Sequence, residues 1–276
     1  MRFLRADVIR TALVAALMCA IALVFGALAE AKILKTRRAG PSTRQTLLTV
    51  GSGFEYETDP EESDYDYPFL VELGITRNLQ LTLEPNYTVI RSKPGENGTN
   101  VSGWGDLETT LEYEFLPERR WRPSFTAETI VKWPTAAHDE LGTGETDYAI
   151  GLILSKEFVR FDADFNATYT FVGDPPGLDL QNATEISASS DWHLGERIDL
   201  EGEVVYDSGG GLRGSGGSFG GVGGGAIGPS ENVFEGTLGL AERLGEYLKL
   251  EEGVVGRSDG SWQLVFAWEW DFDGNQ

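Results

Sequence analysis

Long stretches of this chain switch between apolar and polar side chains at every residue, and that alternation limits its fold more than any other feature. In FDADFNATYTF, Phe161, Ala163, Phe165, Ala167, Tyr169 and Phe171 fall on one face, while Asp162, Asp164, Asn166, Thr168 and Thr170 fall on the other. A β-strand sends successive side chains to opposite faces, whereas a helix would mix the two classes. LQLTLEPNYTV repeats the pattern from Leu79, and WQLVFAWEWDF repeats it from Trp262. Similar phases run through 69–75, 107–115 and 198–207, and the phase is poor over 246–256, where Glu252 falls on the apolar side. The pattern predicts twelve strands: 46–56, 67–77, 79–91, 104–115, 122–133, 146–156, 158–172, 182–193, 197–207, 232–243, 246–256 and 261–272. Most are long enough to cross a bilayer when tilted, which takes roughly 9–11 residues.

The connections alternate in length. Short links are expected at Arg77–Asn78, Leu116–Trp121, Glu157, Leu194–Glu196 and Leu244–Gly245. Longer ones cover 57–66, 92–103, 134–145, 173–181, 208–231 and 257–260. Outer-membrane barrels have short periplasmic turns and longer outside loops. A soluble sandwich gives no reason for the short turns to share one end, and it must bury its apolar face against a second sheet. Trp121, Trp192, Tyr247, Trp270 and Phe272 fall near the short-turn ends, with Trp104, Trp133 and Trp262 toward the other rim, as two aromatic girdles would. The expected fold is all-β, a transmembrane antiparallel β-barrel of about twelve strands. An even strand number places both ends of the mature chain on the periplasmic side.

The amino terminus fits that destination. Arg2, Arg5 and Arg10 precede an uncharged run from Thr11 to Ala29 that ends in the small residues Ala27 and Ala29. This is the pattern of a secretory signal peptide, with cleavage expected after Ala29 and Ala31 as the second choice. An uncleaved single-span anchor is the alternative. The expected division is a signal peptide over 1–29, a basic segment over 30–45 and the barrel over 46–276. The single Cys, Cys19, leaves with the leader, so no internal disulfide or Cys-based zinc site is expected. With 44 Asp and Glu against 22 Lys and Arg, the net charge of -22 argues against nucleic acid as a partner.

Three segments resemble a known family: GWGDLETTLEYEF from Gly103, VKWPTAAHDELGTGETDYAIGLILSK from Val131, and FNATYTFVG from Phe165. They are similar to the outer-membrane transporter family named after the meta-pathway of phenol degradation. The matching positions are Gly103, Gly105 and Asp106, then Pro134 and Thr135, then Gly142, Thr143, Gly144 and Asp147, and finally Asn166, Tyr169 and Gly173. The chain departs from the pattern at Ala136, where Gly is usual, and at Glu145, where Gln is common. The resemblance implies an outer-membrane barrel and a transport role, with an aromatic compound among the conceivable cargoes.

Opposite the apolar positions stands a largely acidic set: Glu72, Glu84, Glu108, Glu112, Glu114, Glu128, Asp162, Asp164, Glu185, Asp191, Asp199, Glu201, Glu203, Glu235, Glu251, Glu269 and Asp271. Lys132 and Lys249 are the basic residues expected on that face. A wet lumen with such a wall concentrates cations, while a closed lumen requires partners or protons for its carboxylates. Between the expected cut and the first strand, AKILKTRRAGPSTR carries Lys32, Lys35, Arg37, Arg38 and Arg44 and no acid. Two readings stand: a partial plug entering the lumen from the periplasmic end, or a disordered tail.

Asp59, Glu61, Glu62 and Asp64 form an expected acidic loop, a hard-oxygen cation site or a plain solvated loop. The Gly-rich stretch 209–228 lacks the Lys-Ser/Thr ending of a phosphate cradle and reads as a loop or lid. The two histidines, His138 and His193, lack a matched serine, and His193 is expected at the membrane interface. The expected function is a channel for small solutes, cation-preferring or passing aromatic compounds, with no enzyme activity and no cofactor. A nonconducting structural or adhesion protein and a barrel-embedded hydrolase are the alternatives. Expected partners are outer-membrane lipid and lipopolysaccharide, small solutes and the outer-membrane assembly machinery.

Overall fold

The computed structural model describes residues 35–38, 46–58, 62–93, 100–175, 180–208, 232–245, 247–258 and 260–273. The expected leader 1–29, the Gly-rich stretch 209–228, and Lys32, Arg44, Asp59 and Glu61 lie outside the described residues.

Fourteen strand segments follow one another: β1 (Thr46–Thr58), β2 (Glu62–Thr76), β3 (Leu79–Glu84), β4 (Asn86–Ser92), β5 (Val101–Trp104), β6 (Leu107–Leu116), β7 (Ser124–Trp133), β8 (Asp147–Glu157), β9 (Phe161–Phe171), β10 (Ala183–His193), β11 (Ile198–Asp207), β12 (Val233–Leu244), β13 (Leu248–Arg257) and β14 (Trp262–Asp273). They make twelve spanning strands, because β3 and β4 are two halves of one strand, as are β5 and β6. Pro85, which has no N–H to donate, divides the first pair. Its carbonyl still accepts from Phe69 N at 2.8 Å, so β2 pairs continuously along both halves. The second pair is divided at Gly105 and Asp106, where Gly105 N donates to Asn86 O at 2.9 Å. The two breaks lie side by side, with β4 pairing β5 and β3 pairing β6.

Every pairing is antiparallel and each strand pairs with its sequence neighbour. The barrel closes where β1 pairs with both β2 and β14. Closure leaves no row of unpaired backbone groups, which is what a hydrocarbon environment demands of a sheet. The burial pattern is that of a globular protein turned inside out. Along β6, Glu108, Thr110, Glu112 and Glu114 are buried, while Leu111, Tyr113 and Phe115 are exposed. Along β9, Asp162, Asp164, Asn166 and Thr168 are buried, while Phe165 and Tyr169 are exposed. Apolar side chains turned out suit lipid, and polar ones turned in need each other.

Aromatic rings gather at both rims. At the short-turn end Phe161 stacks on Phe158 with centroids 4.6 Å apart and on Trp192 at 5.0 Å. At the other end Trp104 meets Tyr87 edge-on at 5.5 Å, and Trp262 meets Tyr56 at 6.2 Å. Two details differ from the sequence expectation. The first long loop shrinks to 59–61, because β1 and β2 run on as a hairpin to the pair Thr58–Ser63, and Glu62 and Asp64 are therefore strand residues. The alternation hidden in ESDYDY had been masked by its charge. The strand expected from 104 begins at Val101 and carries the Gly105–Asp106 break.

Candidate functional site: an acidic lumen holding a basic segment

Residues 35–38 lie inside the barrel, and each answers a different part of its wall. At the short-turn end Arg38 binds Glu157 at 2.8 Å and Asp162 at 2.9 Å. One residue earlier, the Arg37 guanidinium reaches Glu84 at 2.6 Å, Glu112 at 3.1 Å and Glu108 at 3.5 Å, bridging β3 and β6. Thr36 donates from its N and its Oγ1 to Glu203 Oε1 at 2.5 and 2.6 Å. Lys35 meets Glu235 at 2.8 Å, toward the long-loop end. The backbone is gripped as well: in the orientation that satisfies both its groups, the Asn166 amide accepts from Arg37 N at 2.6 Å and donates to Arg37 O at 2.9 Å. The segment thus runs along the lumen, with Arg38 nearest the short turns and Lys35 deepest.

The remaining sequence-predicted acids share the same interior. Lys249 pairs with Glu201 at 3.1 Å and with Glu251, and Glu269 faces it across the β13–β14 ladder. Asp164 accepts from Ser155, and Glu128 Oε1 accepts from Thr168 at 3.0 Å. Glu72 is buried on β2 opposite Thr49 and Thr82. The buried oxygens Glu128 Oε2, Glu185 Oε2, Glu201 Oε2 and Asp191 Oδ1 have no hydrogen-bond partner among the described residues. An unpaired buried carboxylate oxygen is costly, so each of these four positions would gain from a further hydrogen-bond donor.

Sequence reasoning missed three features. His193 ends β10 at the short-turn rim, but its ring turns inward: its Nδ1 lies 2.9 Å from Asp199 Oδ1, and Asp199 also accepts from Arg243 at 2.9 Å. The inward phase of β10 carries it there, since Asp191 and His193 share a face. Arg257 is a further inward base, bound to Glu57, to Glu235 at 3.0 Å and to Gln263 at 3.3 Å. Its parity with Lys249 on β13 was the available signal, obscured by the poor alternation there. The third feature is the loop 134–146.

That loop contains five of the twelve family-motif positions, and it lies against the inner side of the wall. Gly103 pairs with the inward-facing Thr88, and a Cβ added to it would meet Ala137, His138 and Leu141 at 3.0–3.2 Å. Leu141, in the 3-10 turn Asp139–Leu141, is almost fully buried. Asp106 Oδ1 accepts from both Thr135 N and Ala136 N at 2.9 Å, tying the loop to the strand break. Thr135 Oγ1, after Pro134, accepts from Leu107 N at 2.8 Å, and Ala137 N donates to Trp104 O at 2.8 Å. Gly142 allows close approach, since an added Cβ would fall 2.6 Å from the Ala136 methyl. Gly144 turns the chain at a φ of 72°. Asp147 binds Lys132 at 2.5 Å and accepts from Gly173 N at 2.8 Å. Tyr169 faces outward, its hydroxyl accepting from Asn182 at 3.1 Å. The motif residues therefore form one clasp around the long-loop end, Asn166 and Tyr169 lying apart from it.

No family model matches the sequence, and no curated protein does. Solved structures do match in shape. An outer membrane channel from Pseudomonas putida F1 superposes with a TM-score of 0.61 at 11% identity, over 88% of this chain and 97% of that one. The NanC porin gives 0.58 at 9% identity, over 81% and 100%. The KdgM porin, solved with oligogalacturonate, gives 0.52 at 9%, over 80% and 99%. In shape this chain is similar to outer-membrane channels and porins: a closed antiparallel β-barrel of twelve strands.

Proposed function

We propose that this protein is an outer-membrane channel for the passive diffusion of small solutes, that its lumen prefers cations, and that the segment containing Lys35–Arg38 gates it. The observation that carries this reading is the match between an acidic wall and a basic segment lying against it at three depths. Wall charge of one sign in a low-dielectric passage concentrates counter-ions and repels co-ions. A polyanion such as the oligogalacturonate found with KdgM would be repelled here. A leader removed on export would leave β1 and β14 with their outer ends at the short-turn, periplasmic side, so the gating segment enters from the periplasm. The apolar belt would contact outer-membrane lipid and lipopolysaccharide, and insertion would use the barrel-assembly machinery. Downhill passage needs no cofactor.

Planar-bilayer recording under a salt gradient tests this, comparing the mature chain with one trimmed to begin at residue 45. The expected result is a reversal potential toward cation selectivity and a larger conductance after trimming. Unchanged conductance and selectivity after trimming would overturn the gate. Silence from trimmed protein that is folded and inserted would overturn the channel.

A further inference from the structure

We infer that the lumen tract held by Lys35–Arg38 is a binding site for linear polycations, and that the segment is the chain's own ligand for it. The inference rests on the reading of the lumen as a cation path and names the solutes that path is built to hold. Register supplies the first argument. Glu84 stands directly opposite Glu108 on the β3–β6 ladder, and Glu112 directly opposite Glu128 on the β6–β7 ladder. Like charges opposite each other destabilise a sheet unless a cation lies over them. Lys132, beside Glu108 on β7, is drawn instead to Asp147 at 2.5 Å. Among the described residues the Arg37 guanidinium is the cation over this patch, and it makes contact with three of the four carboxylates.

The fourth supplies an independent argument. Glu128 is only 4% exposed, and its Oε2 lacks a hydrogen-bond partner among the described residues. The guanidinium therefore leaves Glu128 Oε2 without a donor among the described residues. A ligand with closely spaced ammonium or guanidinium groups would complete the patch. Depth supplies the third: Lys35, Arg37 and Arg38 meet separate carboxylate sets along the barrel, at Glu235, at Glu84 with Glu112, and at Glu157 with Asp162. An extended chain of cations fits such a track, whereas a compact monocation would engage one set. Polyamines and short basic peptides share this chemistry. They differ at Asn166, which accepts from the peptide N–H of Arg37 and donates to its C=O; a polyamine has N–H groups but no carbonyl to accept the second bond.

Two measurements on the folded mature chain test the site. In the first, trypsin digestion at Lys35, Arg37 and Arg38 is followed with and without spermidine, against choline chloride at equal ionic strength. Spermidine is expected to release the segment and speed cleavage at least about fivefold, with no such effect of choline. In the second, spermidine and a Lys-Thr-Arg-Arg peptide are titrated calorimetrically into the full chain carrying K35Q, R37Q and R38Q. None of these three residues takes part in strand pairing, and heat-modifiable gel mobility verifies folding. Binding is expected to be at least about tenfold tighter than to the unsubstituted chain, and to weaken by about tenfold or more when Glu84→Gln and Glu112→Gln are added. Asn166→Ala is expected to weaken the peptide more than spermidine; equal weakening of both ligands overturns the role of Asn166 in telling them apart. Absence of binding to the folded, neutralised chain, or binding indifferent to the glutamate substitutions, overturns the inference. Because neither readout uses current, a silent but spermidine-binding barrel would refute the channel and leave this site standing.

Discussion

Gly173 shows how little space separates the loop 134–146 from its neighbours. A methyl group there would sit 2.7 Å from the backbone carbonyl of Thr146, which cannot swing aside. Gly173→Ala should cost about 1–3 kcal/mol, the usual range for forced overpacking, read as a lower urea midpoint for unfolding of the barrel in vesicles. Gly151 is a contrast, because its added methyl would meet the Glu128 carboxylate, the end of a longer side chain. A second residue-scale prediction concerns the outer wall. Leu238 is 63% exposed on β12 and lies beside Val254 on β13, in the middle of the apolar belt. Leu238→Arg should destabilise the inserted barrel by about 2–4 kcal/mol, as Arg does at a bilayer midplane. Folding titrations in phospholipid vesicles measure this, and an unchanged free energy would mean that the face does not meet lipid.

At the scale of elements, strand faces were readable because period-two alternation is local, and β9 and β14 followed it almost residue by residue. The hairpin β1–β2 was not, since the alternation in ESDYDY sets acids against aromatics and reads as a solvated loop. Nor was the clasp at the long-loop end: the resemblance marked Gly103, Asp106 and Gly142, but nothing in their spacing said that the loop turns inward over Gly103. Asp106 is the fastening of that loop, accepting two backbone N–H groups. Hydrogen bonds to a charged acceptor contribute about 1.5–3 kcal/mol. Asp106→Ala should free the loop locally, so faster amide exchange is expected at Thr135 and Ala136 while strand amides keep their protection. Uniform loss of protection across the barrel would show instead that the clasp supports the whole fold.

The whole molecule depends on closure. Strand β14 is bonded to β13 on one side and to β1 on the other. Ending the chain at Ser261 should therefore abolish the compact, heat-modifiable form on gels, while the single change Arg37→Gln should leave that form in place. A compact form surviving the C-terminal deletion would mean that the remaining strands close by themselves.

The sequence alone was enough for the strand number, the apolar outer face and the acidic inner one, because each depends on side-chain parity within a single strand. It also placed the bases Lys35, Arg37 and Arg38 before the first strand, leaving open whether they enter the lumen or trail from it. Tertiary structure decided that question, together with which carboxylates meet which cations. The reason is stagger: parity says that Glu84, Glu112 and Glu203 face inward, but only the register of strands far apart in sequence brings them to heights where one short segment touches them all.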